Sequence, residues 1–440
     1  MQMTVPPYVN FIFDRMHRHG YEVYLVGGCV RDMIMGVTPH DYDMTTNALP
    51  EETAECFSDL KVIPTGMKHG TVTVVFDRHP IEITTYRRDG EYDDNRHPRQ
   101  VTFTPDLRDD LSRRDFTVNA IACDERGELV DLFGGREDIE KGIIRCVGDP
   151  DTRFSEDGLR IMRALRFASV LGFSLDGDTA ASVRRNRELL LNISAERLRE
   201  EFLKLICGKN FADILRDYYD VIGVFIPEIL PMVGFDQKTK YHTLDVFEHT
   251  LAMMGNCDAD DKILRLSALF HDIGKPESYT FDGKSGHFYG HAERSEAIAD
   301  SVMKRLKFDN DTRKKVKRLV AEHMTPIAAS ERSARRFISE HTEKEAARAF
   351  ALAYADRHSC APEYQDDEEI RKAEERVREL LLKEARISLK TLAVRGDDLI
   401  ALGFSGKELG RCLDTLLSRV IDGELPNEKA ALIDAAIKLK

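Results

Sequence analysis

Two aspartates flank one tyrosine in DYDMTT, at Asp41 and Asp43, downstream of a glycine pair in LVGGCVRDMIMGVTPHDYDMTT (25–46). An extended backbone turns alternate side chains to one face, so a strand beginning at Asp41 presents both carboxylates together. Like charges at that spacing drive one carboxyl toward protonation unless a cation sits between them. A divalent ion resolves the conflict. Mg²⁺ suits it best, because it binds through one or two carboxylates plus substrate phosphates. Gly27 and Gly28 clear side chains from a backbone that must approach phosphate oxygens, and a following helix adds its N-terminal dipole. Arg31 is placed to meet a phosphate directly. Each part is common by itself, and their conjunction in strand–turn–helix–strand order is what points to phosphoryl chemistry. Glu82 in IEITTY is a third candidate acid, sharing a face with Thr84 and Tyr86 while Ile81 and Ile83 point the other way. It either joins the aspartates or faces solvent.

A second set of chemistry-bearing residues lies further along. His249 stands in FEHT, His271 and Asp272 in LFHDIGKP, His291 in GHAERSE, His323 in EHM and Asp356 in AYADR. Imidazoles and carboxylates from several helices can jointly bind a divalent metal and activate water.

The elements that must position these groups differ along the chain. YEVYLV (21–26), TVTVVF (71–76) and IEITTY (81–86) are β-branched or aromatic runs bounded by Gly or Pro and read as strands. Beyond about residue 150, Leu-, Ala-, Glu-, Lys- and Arg-rich helical patterns continue to the end, with breaks at 227–239 and 362–369. A chain of 440 residues exceeds one ordinary core, so several domains are expected. The net charge of −13 argues weakly against nucleic acid, yet residues 304–318 carry eight Lys or Arg against two Asp. That run is either a solvated helix face or a patch for RNA. Eight scattered cysteines without CxxC, no apolar membrane span and no leader pattern at the N-terminus give the expectation of a cytoplasmic protein.

Several motifs in order resemble the class II nucleotidyltransferases of the DNA polymerase β superfamily, the tRNA CCA-adding enzymes and bacterial poly(A) polymerases. GGCVRD with DYDMTT is similar to the phosphate- and metal-binding motif, and RRDFTVNA (113–120) to the ribose-sensing motif. DLFGGREDI (131–139) resembles the hinge motif, EDGLRIMRALRF (156–167) the nucleotide template, and ERLREEF (196–202) the helix that braces it. The resemblance implies transfer of nucleotides from CTP and ATP to the 3′ end of tRNA, with two metals held by Asp41 and Asp43. It assigns Arg114 and Asp115 to ribose and phosphate, and Asp157 and Arg160 to the base. With 157–170 taken as a helix, Asp157, Arg160, Arg163 and Arg166 fall on one polar arc. A carboxylate only accepts hydrogen bonds and a guanidinium only donates, so that pair admits cytosine and adenine and sets acceptor against acceptor for uracil and guanine. The polar stretch 87–103 resembles the flexible loop of enzymes that switch from C to A.

The histidine pattern resembles HD-domain phosphohydrolases, which implies a second divalent metal at His249, His271, Asp272 and Asp356, with His291 and His323 at accessory positions. The alternative is a helical body that only holds the acceptor stem. The C-terminal stretch 387–420, punctuated by Gly403 and Gly406, resembles a tRNA-binding tail, and a packing hairpin would look much the same. The expected architecture is α+β: a polymerase-β-like head (1–150), then an all-α neck (151–228), an HD-type body (229–362) and a tail (363–440). The rival functions are A addition or poly(A) synthesis at the head, phosphohydrolysis by the HD module with a head that only binds nucleotide, and a non-catalytic RNA-binding or scaffolding protein.

Overall fold

The computed structural model describes residues 5–90, 101–383 and 388–440. They divide into two compact units, Met1–Pro227 and Glu228–Lys440.

In the first unit, Val9, Ile12, Phe13 and Met16 recur at helical spacing and bury one face of the helix Pro7–Arg18. The strands that follow are β1 (Val23–Val26), β2 (Asp43–Thr46), β3 (Lys61–Ile63), β4 (Thr71–Phe76), β5 (His79–Thr85), β6 (Arg87–Asp89), β7 (Val101–Phe103), β8 (Ile121–Cys123) and β9 (Leu129–Asp131). Seven form one sheet in the order β3-β4-β5-β2-β1-β8-β9. Only the β2–β5 pair is parallel. The period-two alternation of the sequence is what the sheet uses: Val72, Val74, Ile81 and Ile83 are buried. Between β4 and β5 the chain reverses through Asp77 and Arg78, both at positive φ. A two-residue turn of that kind matches the twist of the strands and pins Phe76 opposite His79. The stretch expected to be a flexible loop is flanked by a β6–β7 ladder, and its centre, 91–100, lies outside the described residues.

Helices then take over, as the loss of strand patterning predicts. Pro150–Glu156, Leu159–Leu171 and Ala195–Ile206 carry the template and brace motifs. One expectation needs correction. The helix does not run from 157 to 170, because Asp157 is extended (φ −138°, ψ 104°) and ends the preceding helix. Its carboxylate instead accepts from the Leu159 N–H at 3.0 Å, opening the next helix. Asp-Gly is a helix stop and start signal, since the Asp side chain competes for backbone donors. Gly208 lets the brace come close: a Cβ there would lie 2.1 Å from Ser169 Oγ and 2.7 Å from the Ser169 carbonyl carbon.

The second unit is helical apart from a small hairpin, Thr280–Phe281 with Gly286–His287. Helices Val246–Gly255, Lys262–Phe270, His291–Arg305, Asn310–Glu322 and Glu343–Arg357 supply the histidine-bearing core. Toward the C-terminus, helices Gly396–Ala401, Gly406–Ile421 and Lys429–Ile437 close over a separate apolar cluster around Leu399, Leu416 and Leu432. The chain is therefore α+β, with its seven-stranded sheet in the head; a short parallel pair, Ile143–Ile144 with Ser174–Leu175, reaches into the segment expected to be all helix. No helix among the described residues is long and apolar enough to cross a membrane.

Candidate functional site

The acidic face of the head is built by strand register. Asp43 pairs with Glu82 across the parallel β2–β5 ladder. Parallel neighbours in register point the same way, so their carboxylates stand side by side. Asp41 lies just before β2 and not within it, but the alternation holds: Asp41 and Asp43 are exposed and Tyr42 between them is buried. Desolvation, then the charges of Glu82 and Asp41, raise the Asp43 pKa, while Arg114 opposes them. Three carboxylates that repel one another thus share this face.

Gly27 has φ 78° and caps the short helix Gly28–Ile34. A Cβ at Gly27 would meet Arg114 Nη1 at 3.3 Å, so the glycine turn and the RRD motif adjoin. Arg31 differs from the expectation of an open phosphate ligand. It is buried, donates from Nε and Nη2 to Asp32 (2.9 and 2.7 Å) and from Nη1 to Asn119 (2.7 Å), and lies over the Phe167 ring. In this arrangement it ties the glycine turn to the RRDFTVNA segment.

Asp110, which the sequence did not single out, organises that segment. It is fully buried, accepts from Arg113 (2.7 and 2.9 Å) and Arg114 (3.2 Å), and also from Thr45 on β2 (3.1 Å). Desolvation pushes its carboxyl up, but the two guanidinium groups outweigh it and the net shift is downward. Asp115 is held likewise. It accepts from the Phe116 N–H, from Asn119 and, at 2.6 and 2.9 Å, from Arg163. Arg163 overcomes desolvation there and brings the pKa down to about 2.

Around the template, Asp157 accepts from Arg197 at 3.1 Å. Arg160 donates to Glu156 (2.5 Å) and to the carbonyls of Arg153 (3.1 Å) and Arg113 (3.0 Å). Arg166 pairs with Glu201 at 2.5 Å and covers Phe167. Arg197 and Glu201 both belong to ERLREEF, so that helix grips the template at two points. The four residues expected on one arc thus split: Asp157 and Arg160 flank the helix start, Arg163 turns to Asp115 and Arg166 to the brace.

The second unit gathers its histidines around Asp272. Asp272 Oδ2 lies 2.9 Å from His271 Nε2 and 3.7 Å from His249 Nε2, and Oδ1 lies 3.3 Å from His291 Nε2 and 3.8 Å from His323 Nε2. Asp356 reaches His249 Nε2 at 3.1 Å. Each ring's Nδ1 faces a backbone carbonyl, those of Ser359, Ala268, Phe288 and Val320 respectively for His249, His271, His291 and His323. A carbonyl only accepts, so each Nδ1 is the donor there, and the Nε2 atoms are the ones turned toward the carboxylates, free to ligate a metal once deprotonated. The Nε2 atoms of His291 and His323 lie 3.2 Å apart, within hydrogen-bond distance. Burial, then the neighbouring His271, lowers the His323 pKa to about 4. The groups His249–His271–Asp272 and Asp272–His291–His323 each bring their ligand atoms within 4.8 Å. Lys275 Nζ adds a 2.7 Å ion pair to Asp272. His242, also unforeseen, packs its ring on His249 at 4.5 Å and shares the cavity over the group.

Much of the basic run 304–318 is ion-paired on the surface of two consecutive helices. Lys304, Arg313 and Lys317 meet Asp300, Lys315 meets Asp311, and Arg318 meets Glu322.

Comparison with known proteins follows this division. Residues 23–145 match the poly A polymerase head domain, 172–229 a probable RNA and SrmB-binding site of polymerase A, and 288–436 a putative tRNA nucleotidyltransferase domain 2. A CCA-adding enzyme of Geobacillus thermodenitrificans is 52% identical over 204 residues, which is 46% of this chain and 50% of that protein. One from Lactobacillus helveticus is 50% identical over 209 residues, 48% of this chain and 52% of that protein. The matched stretch thus spans about half the length of these curated relatives. The crystal structure of the Bacillus stearothermophilus CCA-adding enzyme in complex with CTP superposes with a TM-score of 0.74 at 30% identity, covering 99% of this chain and 98% of the other. A Thermotoga maritima CCA-adding enzyme solved with tRNA shares the fold at a TM-score of 0.61 and 22% identity, covering 100% of this chain and 97% of that one. By sequence motif, sheet register and whole-chain likeness, this chain belongs to the CCA-adding enzyme family.

Proposed function

We propose that the chain is a tRNA nucleotidyltransferase that builds or repairs the 3′-terminal CCA from CTP and ATP, using Mg²⁺ at Asp41 and Asp43. The observation that carries this reading is the in-register pair Asp43–Glu82, exposed beside Asp41 and adjoining Gly27 and Arg114. When bound, the metal supplies activation of the attacking 3′-hydroxyl and neutralisation of the triphosphate. Gly27 and Gly28 admit phosphate oxygens close to the backbone. Arg114, aimed by Asp110, bears on the phosphates and ribose, while Arg31, Asp115, Arg163 and Arg166 hold the frame. Asp157 accepts from the exocyclic amine of cytosine or adenine, and Arg160, oriented by Glu156, donates to the ring acceptors. Uracil and guanine leave an acceptor against Asp157, a penalty of about 1–3 kcal/mol for a buried unpaired group. We divide the chain functionally into a head (1–150), neck (151–228), body (229–362) and tail (363–440) that engages tRNA.

The test is extension of tRNA transcripts ending before C, after one C and after CC, with CTP or ATP supplied separately. Full CCA addition requires all three to be extended in order. Extension of the CC-ended transcript alone would instead identify an A-adding enzyme, and long A tracts a poly(A) polymerase.

A second activity is favoured by the four imidazole Nε2 atoms gathered around Asp272. We propose that this group binds divalent metal and hydrolyses phosphate esters. Hydrolysis of bis(p-nitrophenyl) phosphate with Mn²⁺, lost in Asp272→Ala, is the expected result, and no turnover with any divalent metal would reduce the body to a scaffold.

A further inference from the structure

The cavity over the His/Asp group has a volume of about 1340 Å³. Sites for single small ligands are typically about 300–1,000 Å³. This cleft exceeds that range, with room for more than one nucleotide.

Its wall is aromatic and basic. The hairpin Thr280–Phe281/Gly286–His287 and the loop before Val246 meet above the group, and Gly286 makes the join. The Gly286 N–H donates to the Lys238 carbonyl at 2.9 Å, and a Cβ there would come within 2.3 Å of the Gln237 carbonyl oxygen. Gln237 in turn accepts from Lys275 at 2.8 Å, so the wall is anchored to the residue that pairs with Asp272. Tyr289 projects from the far end of the hairpin, 81% exposed, with one face stacked parallel on His287. Elsewhere on the wall, Tyr241 packs on Tyr364 at 4.8 Å. Lys238 lies over Phe281 and Lys240 over Tyr241. Lys238, Lys240 and Lys284 are exposed and form no ion pair among the described residues. The acids nearby are otherwise engaged: Asp236 accepts the Lys238 N–H, and Asp282 takes His287 and the Lys284 and Ser285 N–H groups.

Exposed rings alternating with lysines are what an unpaired nucleic-acid strand needs: faces for successive bases and cations for the backbone between them. We propose that this rim binds a single-stranded RNA end of two or more nucleotides and places its terminal phosphate ester at the His/Asp group. The proposal rests on the hydrolytic reading of that group for its chemistry, but not for its binding. Hydrolysis there balances with water alone. The water oxygen bonds to phosphorus, the P–O ester bond breaks, and the departing oxygen takes a proton.

The full chain is titrated with fluorescein-labelled tetracytidylate and with labelled CMP, in wild type, Tyr289→Ala and the double variant Lys238→Ala/Lys284→Ala. These surface positions lie outside both acidic centres. Wild type binds the tetranucleotide more tightly than CMP, and Tyr289→Ala weakens the tetranucleotide about ten-fold while leaving CMP unchanged. The lysine pair flattens the slope of log K against log salt by about 1.4, as expected for two lost phosphate contacts. Affinities and slope unchanged in both variants overturn the proposal. Hydrolysis of bis(p-nitrophenyl) phosphate, run in parallel, separates the two ideas. Tyr289-dependent binding without turnover removes the hydrolase and keeps the rim, whereas turnover without Tyr289-dependent binding removes the rim and keeps the hydrolase.

Discussion

At Asp43, three negative groups and one guanidinium meet, and desolvation and repulsion already push its pKa up. Replacing it with Asn removes a metal ligand and a source of strain at once. Nucleotide transfer is expected to fall by on the order of a thousand-fold, since the ion supplies several kcal/mol of charge stabilisation. Thermal stability without metal stays the same or rises slightly. Saturating Mg²⁺ raises the wild-type melting temperature, by about 2.7 kcal/mol of linkage at a hundred times Kd, and does not move that of Asp43→Asn. Asp115 gives a prediction of opposite sign. Its folded pKa of about 2 lies below the ordinary value of 3.8, so its contribution is complete above pH 4 and vanishes as pH falls toward 2. Asp115→Asn is expected to cost about 2 kcal/mol at pH 7, and the gap to wild type in urea unfolding of the head closes below pH 4. These residues differ in how visible they were. Alternation around buried Tyr42 put Asp41 and Asp43 on one face, whereas Glu82 stayed open between that face and solvent until the β2–β5 register set it beside Asp43. Asp110 was hidden because DLRDDLSRRD reads as a charged surface, and only tertiary packing shows which aspartate goes inside.

Elements decide how the template meets its brace. Ser169 Oγ donates to the Leu205 carbonyl at 2.7 Å, and Gly208 leaves room for that approach. In Gly208→Ala the added carbon must displace backbone, so a loss of about 2 kcal/mol or more in urea unfolding is expected. Ser169 lies in the last turn of the helix Leu159–Leu171, at the opposite end from Asp157 and Arg160, so selection against UTP is expected to stay as in wild type while stability falls. The sequence placed strands β1, β4 and β5 within a few residues, since each alternates and ends at turn residues. It overran the helix at Asp157, where a two-residue break at Asp157–Gly158 leaves the apolar periodicity almost undisturbed. His242 escaped notice for a related reason: its place beside His249 depends on a loop folding back, which no period records.

Over the whole molecule, two compact units hold separate chemical centres: carboxylate oxygens in the first, imidazoles around an aspartate in the second. Calorimetry of the intact chain is expected to resolve two transitions, of which Mn²⁺ moves the one belonging to Glu228–Lys440. In Asp272→Ala that response disappears, while CCA addition with Mg²⁺ stays within about two-fold of wild type. A single transition shifted equally in both proteins would contradict the division.

The ladder between β2 and β5 has one more implication. The same backbone hydrogen bonds that set Asp43 beside Glu82 also send Ile81 and Ile83 into the core. Sliding β5 by one position would turn the glutamate inward and both isoleucines outward, so the slipped chain loses its foldedness together with its chemistry. Insertions near this strand are therefore filtered out as misfolded protein before they ever surface as a miscalibrated polymerase.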